Sequence, residues 1–121
     1  MSTLSFGQIA IDSARADELA GFWSRLLDRP LAEGASAYFA VLPPDATTGF
    51  PSLMFLAVPE EAAGKNRLHL DLSSVDLAAD VERAVSLGAT KLGDFDEHGT
   101  RWTTLTDPEG NVFDIGLAHD F

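Results

Sequence analysis

The sequence contains no cysteine. Disulfide bonds, thiolate nucleophiles and zinc sites built on cysteine are therefore excluded. The lack of cysteine fits a reducing compartment, and residues 1–7 show no basic stretch followed by an apolar run. No segment approaches the roughly 18 apolar residues that a membrane span requires. We therefore predict a cytoplasmic protein with no membrane partner.

Basic residues are also scarce, with 8 Lys and Arg against 19 Asp and Glu and a formal net charge of −11. Nucleic-acid binding depends on basic side chains that neutralise phosphates, so we predict no nucleic-acid partner. An acidic surface keeps a protein soluble, and an acidic cavity recruits a cation. The composition leaves both interpretations open.

Hydrophobic residues are plentiful, at 45% of the 121 residues, and eight of them are Phe. That content can offset the chain entropy lost on folding, so disorder is excluded. A chain of this length buries about two-thirds of its unfolded surface and fits one domain. We predict a single domain over residues 1–121.

Two stretches of the chain repeat one unit. Gln8 begins an apolar run that leads into a helix ending near Leu27, and His69 begins a similar run that leads into a helix ending near Leu87. Gln8 and His69 lie 61 residues apart, as do Leu26 and Leu87. A repeat of this length is one supersecondary unit. We predict module one at 1–60 and module two at 65–121.

Each module is predicted as a strand, a helix and further strands. The helix of the first module has a stripe of apolar residues at helical spacing, with Asp12 and Ser13 as its N-cap. In the second, Ser74 or Asp76 is the cap. The predicted strands are Leu4–Ile11, Tyr38–Leu42, Leu53–Val58, Leu68–Leu72, Trp102–Thr106 and Val112–Leu117, with short ones near Ala32–Ser36 and Thr90–Phe95. Asp107–Asn111 is predicted as a hairpin turn, with Pro108 and Gly110 at positions that suit a turn.

The chain resembles the vicinal-oxygen-chelate superfamily, in its small glyoxalase-like and bleomycin-resistance-like branch. The resemblance covers nearly the whole chain and rests on the order of elements and on four motifs. The motifs are Phe22-Trp23 before Leu26-Leu27, Asn66 to Leu72, Leu87-Gly88-Ala89, and Asp107 to Asp114. The resemblance implies an α+β fold of two βαβββ modules that form curved, mainly antiparallel sheets, as in glyoxalase, bleomycin-resistance and dihydroxybiphenyl-dioxygenase folds.

The resemblance also implies a divalent metal site with ligands from both modules. Gln8 and His69 fall on the first-strand ligand positions, and Asp114 falls where the family usually has Glu. The fourth position lies near Leu53-Met54-Phe55, where no carboxylate is present. One imidazole, one carboxylate and one amide oxygen form a weak ligand set. We predict Gln8, His69 and Asp114 in one concave pocket.

Each candidate has a second interpretation. His69 is a metal ligand or general base, or else a cavity-lining histidine with its own hydrogen-bond partner. Asp114 shares a strand face with Val112 and Gly116, and that face lines either the cavity or solvent. His98 lies in a loop near the predicted cavity mouth, and His119 follows the last strand. Both are predicted as exposed residues without a role.

Aromatic side chains and the polarisable side chain of methionine are the candidates to line a ligand cavity, because they suit apolar, planar ligands. They are Tyr38, Phe39, Met54 and Trp102. Phe22 and Trp23 belong to the helix stripe, and at least one of them is predicted to lie in the core.

Three functions are consistent with the sequence. The first is a small-molecule-binding protein with a concave ligand cavity. The alternative is a divalent-metal-dependent lyase or isomerase that acts on an oxygen-bearing substrate, with His69 and Asp114 as catalytic candidates. The third is a regulatory module without a ligand. We also predict a homodimer, because apolar strand edges and a shallow half-groove invite a second chain.

Overall fold

The computed structural model describes residues 2–118. Met1 and residues 119–121 lie outside the described residues, and so does the prediction for His119. The chain divides into two compact units, the first ending at Glu61 and the second beginning at Ala62. Each unit holds one helix and one sheet. Neither helix is long and apolar enough to cross a membrane within residues 2–118.

The first unit contains β1 (Gln8–Ser13), α1 (Ala16–Leu27), β2 (Phe39–Leu42) and β3 (Ser52–Ala57). Its sheet has the order β1-β3-β2. The β1–β3 pair is parallel and the β2–β3 pair is antiparallel. Since a parallel pair needs a crossover connection, α1 lies in the connection from β1 and packs against β2 and β3.

Helix α1 buries the apolar stripe that the sequence predicts. Leu19, Phe22 and Trp23 are each at most 2% exposed, and the rings of Phe22 and Trp23 meet edge to face with centroids 5.5 Å apart. The prediction that at least one of the two aromatic residues lies in the core is confirmed, and both are buried. The predicted N-cap is wrong, because β1 continues through Ser13 and Arg15 takes the cap position without a side-chain cap bond.

Two strand predictions for the first unit need correction. The first strand begins at Gln8, and Leu4 and Phe6 before it are exposed. No strand forms at 32–36. The backbone N–H groups of Ala32 and Ser36 instead donate to carbonyls of β2. These isolated hydrogen bonds lie along the edge of β2 without forming a further strand.

Arg29 holds the connection between β2 and β3. Its side chain is 5% exposed, and Nη2 donates to the carbonyls of Pro43 and Pro51. The guanidinium also lies 4.8 Å from the ring centroid of Phe50. Burial lowers the pKa of Arg29, and the charge of Asp45 opposes that shift.

The second unit contains β4 (Asp71–Ser74), α2 (Leu77–Leu87), β5 (Thr90–Glu97), β6 (Thr100–Thr106) and β7 (Val112–Leu117). Its sheet has the order β4-β7-β6-β5. The β4–β7 pair is parallel, and the β7–β6 and β6–β5 pairs are antiparallel. This unit is a complete βαβββ module. Together the two units confirm the predicted α+β class.

The 61-residue offset recurs in the structure. Ser13 and Ser74 are both buried, and each hydroxyl oxygen accepts a hydrogen bond from the backbone N–H two residues later. Helices α1 and α2 begin at Ala16 and Leu77, again 61 residues apart. Asp76 caps α2 through a bond from the N–H of Ala79, as predicted.

The two tight turns of the second unit have local causes. Asp107 accepts the backbone N–H groups of Glu109 and Asn111, and Gly110 has a φ of 89°, which confirms the predicted hairpin. His98 and Gly99 form a two-residue turn between β5 and β6, with φ of 54° and 76°. Turns of this kind require positive φ at both positions.

The sheet of the second unit has two distinct faces. Leu105, Phe113 and Ile115 are buried on the face that α2 covers. Because side chains alternate along a strand, Asp114 points to the opposite face, which we call the distal face. The predicted grouping of Asp114 with Val112 and Gly116 is consistent with the alternating burial of β7.

Candidate functional site

The distal face carries two rows of paired residues. In the first row, Asp71 of β4 pairs with Asp114 of β7, which pairs with Thr104 of β6. In the second row, Gly116 of β7 pairs with Trp102 of β6, which pairs with Phe95 of β5. Residues paired in this way have Cβ atoms about 4.5–5.5 Å apart. The register therefore sets a polar row beside an aromatic row.

A cluster of three metal-ligating side chains stands at the polar end of the distal face. His69, Asp71 and Asp114 each offer a ligand atom, and these atoms all lie within 4.8 Å of one another. His69 Nδ1 is 2.6 Å from Asp71 Oδ1 and 3.8 Å from Asp114 Oδ2. Two ligands that bind one ion at right angles are about 3 Å apart when each bond is about 2.1 Å. Small side-chain movements would bring the three atoms to one ion.

The chemistry of the three donors suits a divalent cation. One imidazole nitrogen and two carboxylate oxygens are donors that Mn²⁺, Zn²⁺ and Fe²⁺ accept, and the two negative charges offset the charge of the ion. The side chains of His69 and Asp71 are 38% and 67% exposed, and that of Asp114 is 20% exposed. An ion at this place would keep free positions for other ligands.

Thr104 orients the least exposed of these carboxylates. Its hydroxyl donates to Asp114 Oδ1 over 2.6 Å, while Oδ2 is the oxygen that faces His69. Outer hydrogen bonds of this kind fix ligand orientation in metal sites. One oxygen of Asp114 is thus held by the protein, and the other stays available to an ion.

The aromatic row lies next to this cluster. The rings of Phe95 and Trp102 are stacked, with centroids 5.2 Å apart and an angle of 16° between their planes. Gly116 has no side chain beside Trp102, and a Cβ added there would lie 3.8 Å from the Trp102 Cβ. The face is therefore open between the aromatic pair and Asp114.

The structure brings together some of the predicted site residues. His69 and Asp114 lie in one cluster, although His69 precedes β4, which begins at Asp71 rather than at the predicted Leu68. Trp102 is on the same sheet face. His98 is in the β5–β6 turn and outside the cluster, as predicted.

The remaining predicted residues belong to the first unit. Gln8 Nε2 lies 3.6 Å from the Sδ of Met54. In the repeat, Gln8 is equivalent to His69, and Met54 of β3 occupies the position that Asp114 of β7 has in the second unit. Tyr38 and Phe39 are exposed. Their role in a ligand wall stays a prediction, as does that of Gln8 as a metal ligand.

The sequence prediction missed Asp71, Thr104 and Phe95. Asp71 could have been found, because residues two apart in an extended segment share a face and Asp71 is two residues after His69. Thr104 and Phe95 depend on register across the β7–β6 and β6–β5 pairs. A β-bulge between Lys91 and Gly93 shifts the β6–β5 register that places Phe95, and no motif in the sequence marks it.

The sequence matches one protein family, and many solved structures have the same fold. The sequence model of the glyoxalase-like domain matches residues 8–116. No curated protein is similar enough in sequence to be counted as a relative.

Three solved structures illustrate the structural similarity. One is a glyoxalase/bleomycin resistance protein/dioxygenase family enzyme from Burkholderia phytofirmans, with a TM-score of 0.77, 20% identity and coverage of 93% of this chain and 98% of that one. Another is a mutant of the fosfomycin resistance protein FosX from Listeria monocytogenes in complex with Mn(II) and 1S,2S-dihydroxypropylphosphonic acid, with a TM-score of 0.76, 10% identity and coverage of 96% and 90%. The third is lactoylglutathione lyase from Agrobacterium tumefaciens, with a TM-score of 0.68, 14% identity and coverage of 94% and 93%. At these identities the similarity establishes the fold.

Proposed function

The chain belongs to the glyoxalase-like domain family, and from that premise we propose that it binds a divalent metal ion and a small oxygen-bearing organic ligand on the distal face. The observation that carries the proposal is the cluster of His69, Asp71 and Asp114 within 4.8 Å, with Thr104 bonded to one oxygen of Asp114. The structural neighbour FosX, solved with Mn(II), supports an ion of this class.

The aromatic row supports a ligand that has a planar part. The stacked rings of Phe95 and Trp102 form an apolar surface beside the cluster. A ligand with two adjacent oxygens at the ion could extend across Gly116, where no side chain blocks the path, and pack its planar part against Trp102. Aromatic contacts of this kind contribute about 0.5–1.5 kcal/mol beyond the area they bury.

A metal-dependent lyase or isomerase is the second candidate function. Asp71 favours it, because its carboxylate is 67% exposed and contacts His69 at 2.6 Å. A bound divalent ion would polarise a ligand oxygen and make a neighbouring C–H bond more acidic. The carboxylate oxygen of Asp71 that does not bind the ion would then accept a proton from the ligand as general base.

Calorimetric titration of the metal-free protein with MnCl₂ and ZnCl₂ tests the metal site. We expect about one ion per chain. His69→Ala and Asp114→Asn should each weaken binding at least about tenfold, since the first removes a ligand and the second replaces a charged carboxylate with a neutral amide. His98→Asn and Asp96→Asn are the matched controls, because they remove an imidazole and a carboxylate outside the cluster.

The same titration tests Gln8, which the sequence predicts as a metal ligand together with His69 and Asp114. Gln8→Ala should weaken metal binding by a smaller factor than His69→Ala, because a neutral amide is a weaker donor. Unchanged binding in Gln8→Ala would remove Gln8 from the site. Unchanged binding in His69→Ala and Asp114→Asn together would refute the metal site itself.

A pair of probes tests the ligand surface in the Mn-loaded protein. Phenylglyoxylate and pyruvate offer the same two adjacent oxygens, but only the first has an aromatic ring. We expect phenylglyoxylate to bind about three- to tenfold more tightly, and we expect Trp102→Leu to reduce that preference. Equal affinity for the two probes would contradict a stacking surface.

We also keep the homodimer and the cytoplasmic location as proposals. In the second unit, β5 is an edge strand and exposes Leu92, which supports association through this edge. Sedimentation at micromolar concentration should give twice the mass of 12.9 kDa, and a monomer mass would contradict the dimer.

A further inference from the structure

Helix α2 covers its sheet less completely than α1 does. Of the described residues, α1 buries six and α2 buries only Ala84. Ala84 lies 61 residues after Trp23, which is 2% exposed in the core of the first unit. The second unit thus has a methyl group where the first unit has an indole ring. A groove of about 560 Å³ lies between α2, β5 and β6, on the flank of α2 that carries Leu77, Val81 and Val85.

This groove lies on the side of the sheet that α2 covers, away from the distal face. Asp94 and Thr103 pair across β5 and β6 and line the groove. Thr103 alternates with Leu105 on the covered face, whereas Trp102 and Thr104 alternate to the distal face. The groove therefore lies mainly on the side of the sheet opposite to the His69, Asp71 and Asp114 cluster, although Phe95 and Trp102 of the aromatic row also line it.

The floor of the groove is apolar and its rim is charged. Leu77, Val81 and Val85 supply the wall on α2, and Val85 is 45% exposed. At the rim, Lys91 Nζ forms an ion pair of 2.5 Å with Asp94 Oδ2. These two charges satisfy each other, and the carboxylate of Glu82 also lines the groove.

Arg101 supplies the cation that is still available at the rim. Within residues 2–118, the guanidinium of Arg101 has neither a hydrogen-bond nor an ion-pair partner. The pKa of Asp94 lies below its usual value, chiefly because Lys91 and then Thr103 donate hydrogen bonds to it, and the charge of Arg101 adds to the effect at longer range. Arg101 can therefore accept an anionic group from outside the chain.

We propose that this groove is a second binding site, for a small amphipathic monocarboxylate whose alkyl chain lies along α2 and whose carboxylate meets Arg101. An apolar floor next to one unpaired guanidinium is complementary to that chemistry, because a planar guanidinium binds carboxylates in bidentate geometry. The net charge of −11 disfavours ligands with several negative charges.

The dimensions of the groove fit a chain of medium length. Its volume falls within the range of about 300–1,000 Å³ that small-molecule pockets show. From Leu77 to Val85 the helix rises about 12 Å at 1.5 Å per residue. An extended alkyl chain advances about 1.25 Å per bond, so roughly ten to eleven carbons span the wall and an eight-carbon chain covers most of it.

Calorimetry of the full chain with octanoate, 1-octanol and octylammonium tests the proposal. We expect octanoate to bind most tightly. Arg101→Gln should weaken octanoate at least about tenfold and leave octanol unchanged, as loss of a charged hydrogen bond implies. Arg67→Gln is the matched control, because Arg67 is exposed and lies outside the groove.

Two groove-filling variants, Val85→Trp and Leu77→Trp, should abolish binding of both octanoate and octanol, with circular dichroism verifying the fold. The proposal is overturned if the native chain binds no octanoate, or if the three probes bind equally. It is also overturned if Val85→Trp changes the sedimentation mass and leaves octanoate binding intact, since a second copy would then occupy the groove.

His69→Ala separates this site from the metal site. We expect octanoate to bind this variant as it binds the native chain, whether or not the metal site exists. Loss of octanoate binding in His69→Ala would place the acid on the distal face and overturn the second site.

Discussion

Thr104→Val isolates the contribution of ligand orientation to the proposed metal site. The substitution keeps the shape of the side chain and removes only the hydroxyl that donates to Asp114 Oδ1 over 2.6 Å. All three proposed ligands remain. Loss of an outer partner of this kind lowers metal affinity about 10- to 100-fold, or about 1.4–2.8 kcal/mol.

Titration of the metal-free variant with MnCl₂ measures this effect. Thr106→Val is a close control, because Thr106 lies on the same strand and face and pairs with Val112. We expect weaker binding in Thr104→Val and native affinity in Thr106→Val. Native affinity in both variants would refute the idea that Thr104 orients Asp114, and equal losses in both would point to a general effect on β6.

Three further variants test the fold and its charges. Arg29→Met should lower the free energy of unfolding by about 2 kcal/mol in urea, because buried carbonyls lose a charged donor, while Arg67→Met should change it little. Asp76→Ala removes the cap of α2 and should cost about 1 kcal/mol, and a loss below about 0.3 kcal/mol would contradict the cap. Asp94→Asn should lower the melting temperature at pH 7. Because the folded pKa of Asp94 is depressed, its stabilising effect is present above the unfolded pKa and is lost as the pH falls below about 4, so the two melting curves should converge there.

The repeat made most of the fold predictable. Equivalent residues at a constant offset gave the two helices and the order of the strands, and the apolar stripe of α1 gave the first core. The predicted strand starts at Leu4 and Leu68 were wrong, because apolar residues extend beyond the segment that is hydrogen-bonded to a neighbouring strand. The segment 32–36 bonds to β2 without forming a strand, and periodicity cannot distinguish these cases.

The candidate site was predictable only in part. His69 and Asp114 followed from motifs that match a family, and the structure places their side chains in one cluster. Thr104 and Phe95 join them through cross-strand register between distant residues, and the register of Phe95 also depends on a bulge in β5. The groove beside α2 depends on how α2 packs against β5 and β6 in the folded chain.

Anomalous diffraction from crystals soaked in MnCl₂ tests the central claim most directly. We expect a single strong manganese peak about 2.0–2.2 Å from His69 Nδ1 and from one carboxylate oxygen each of Asp71 and Asp114. Native crystals without such a peak, or with manganese only at other carboxylates, would contradict a metal site on the distal face.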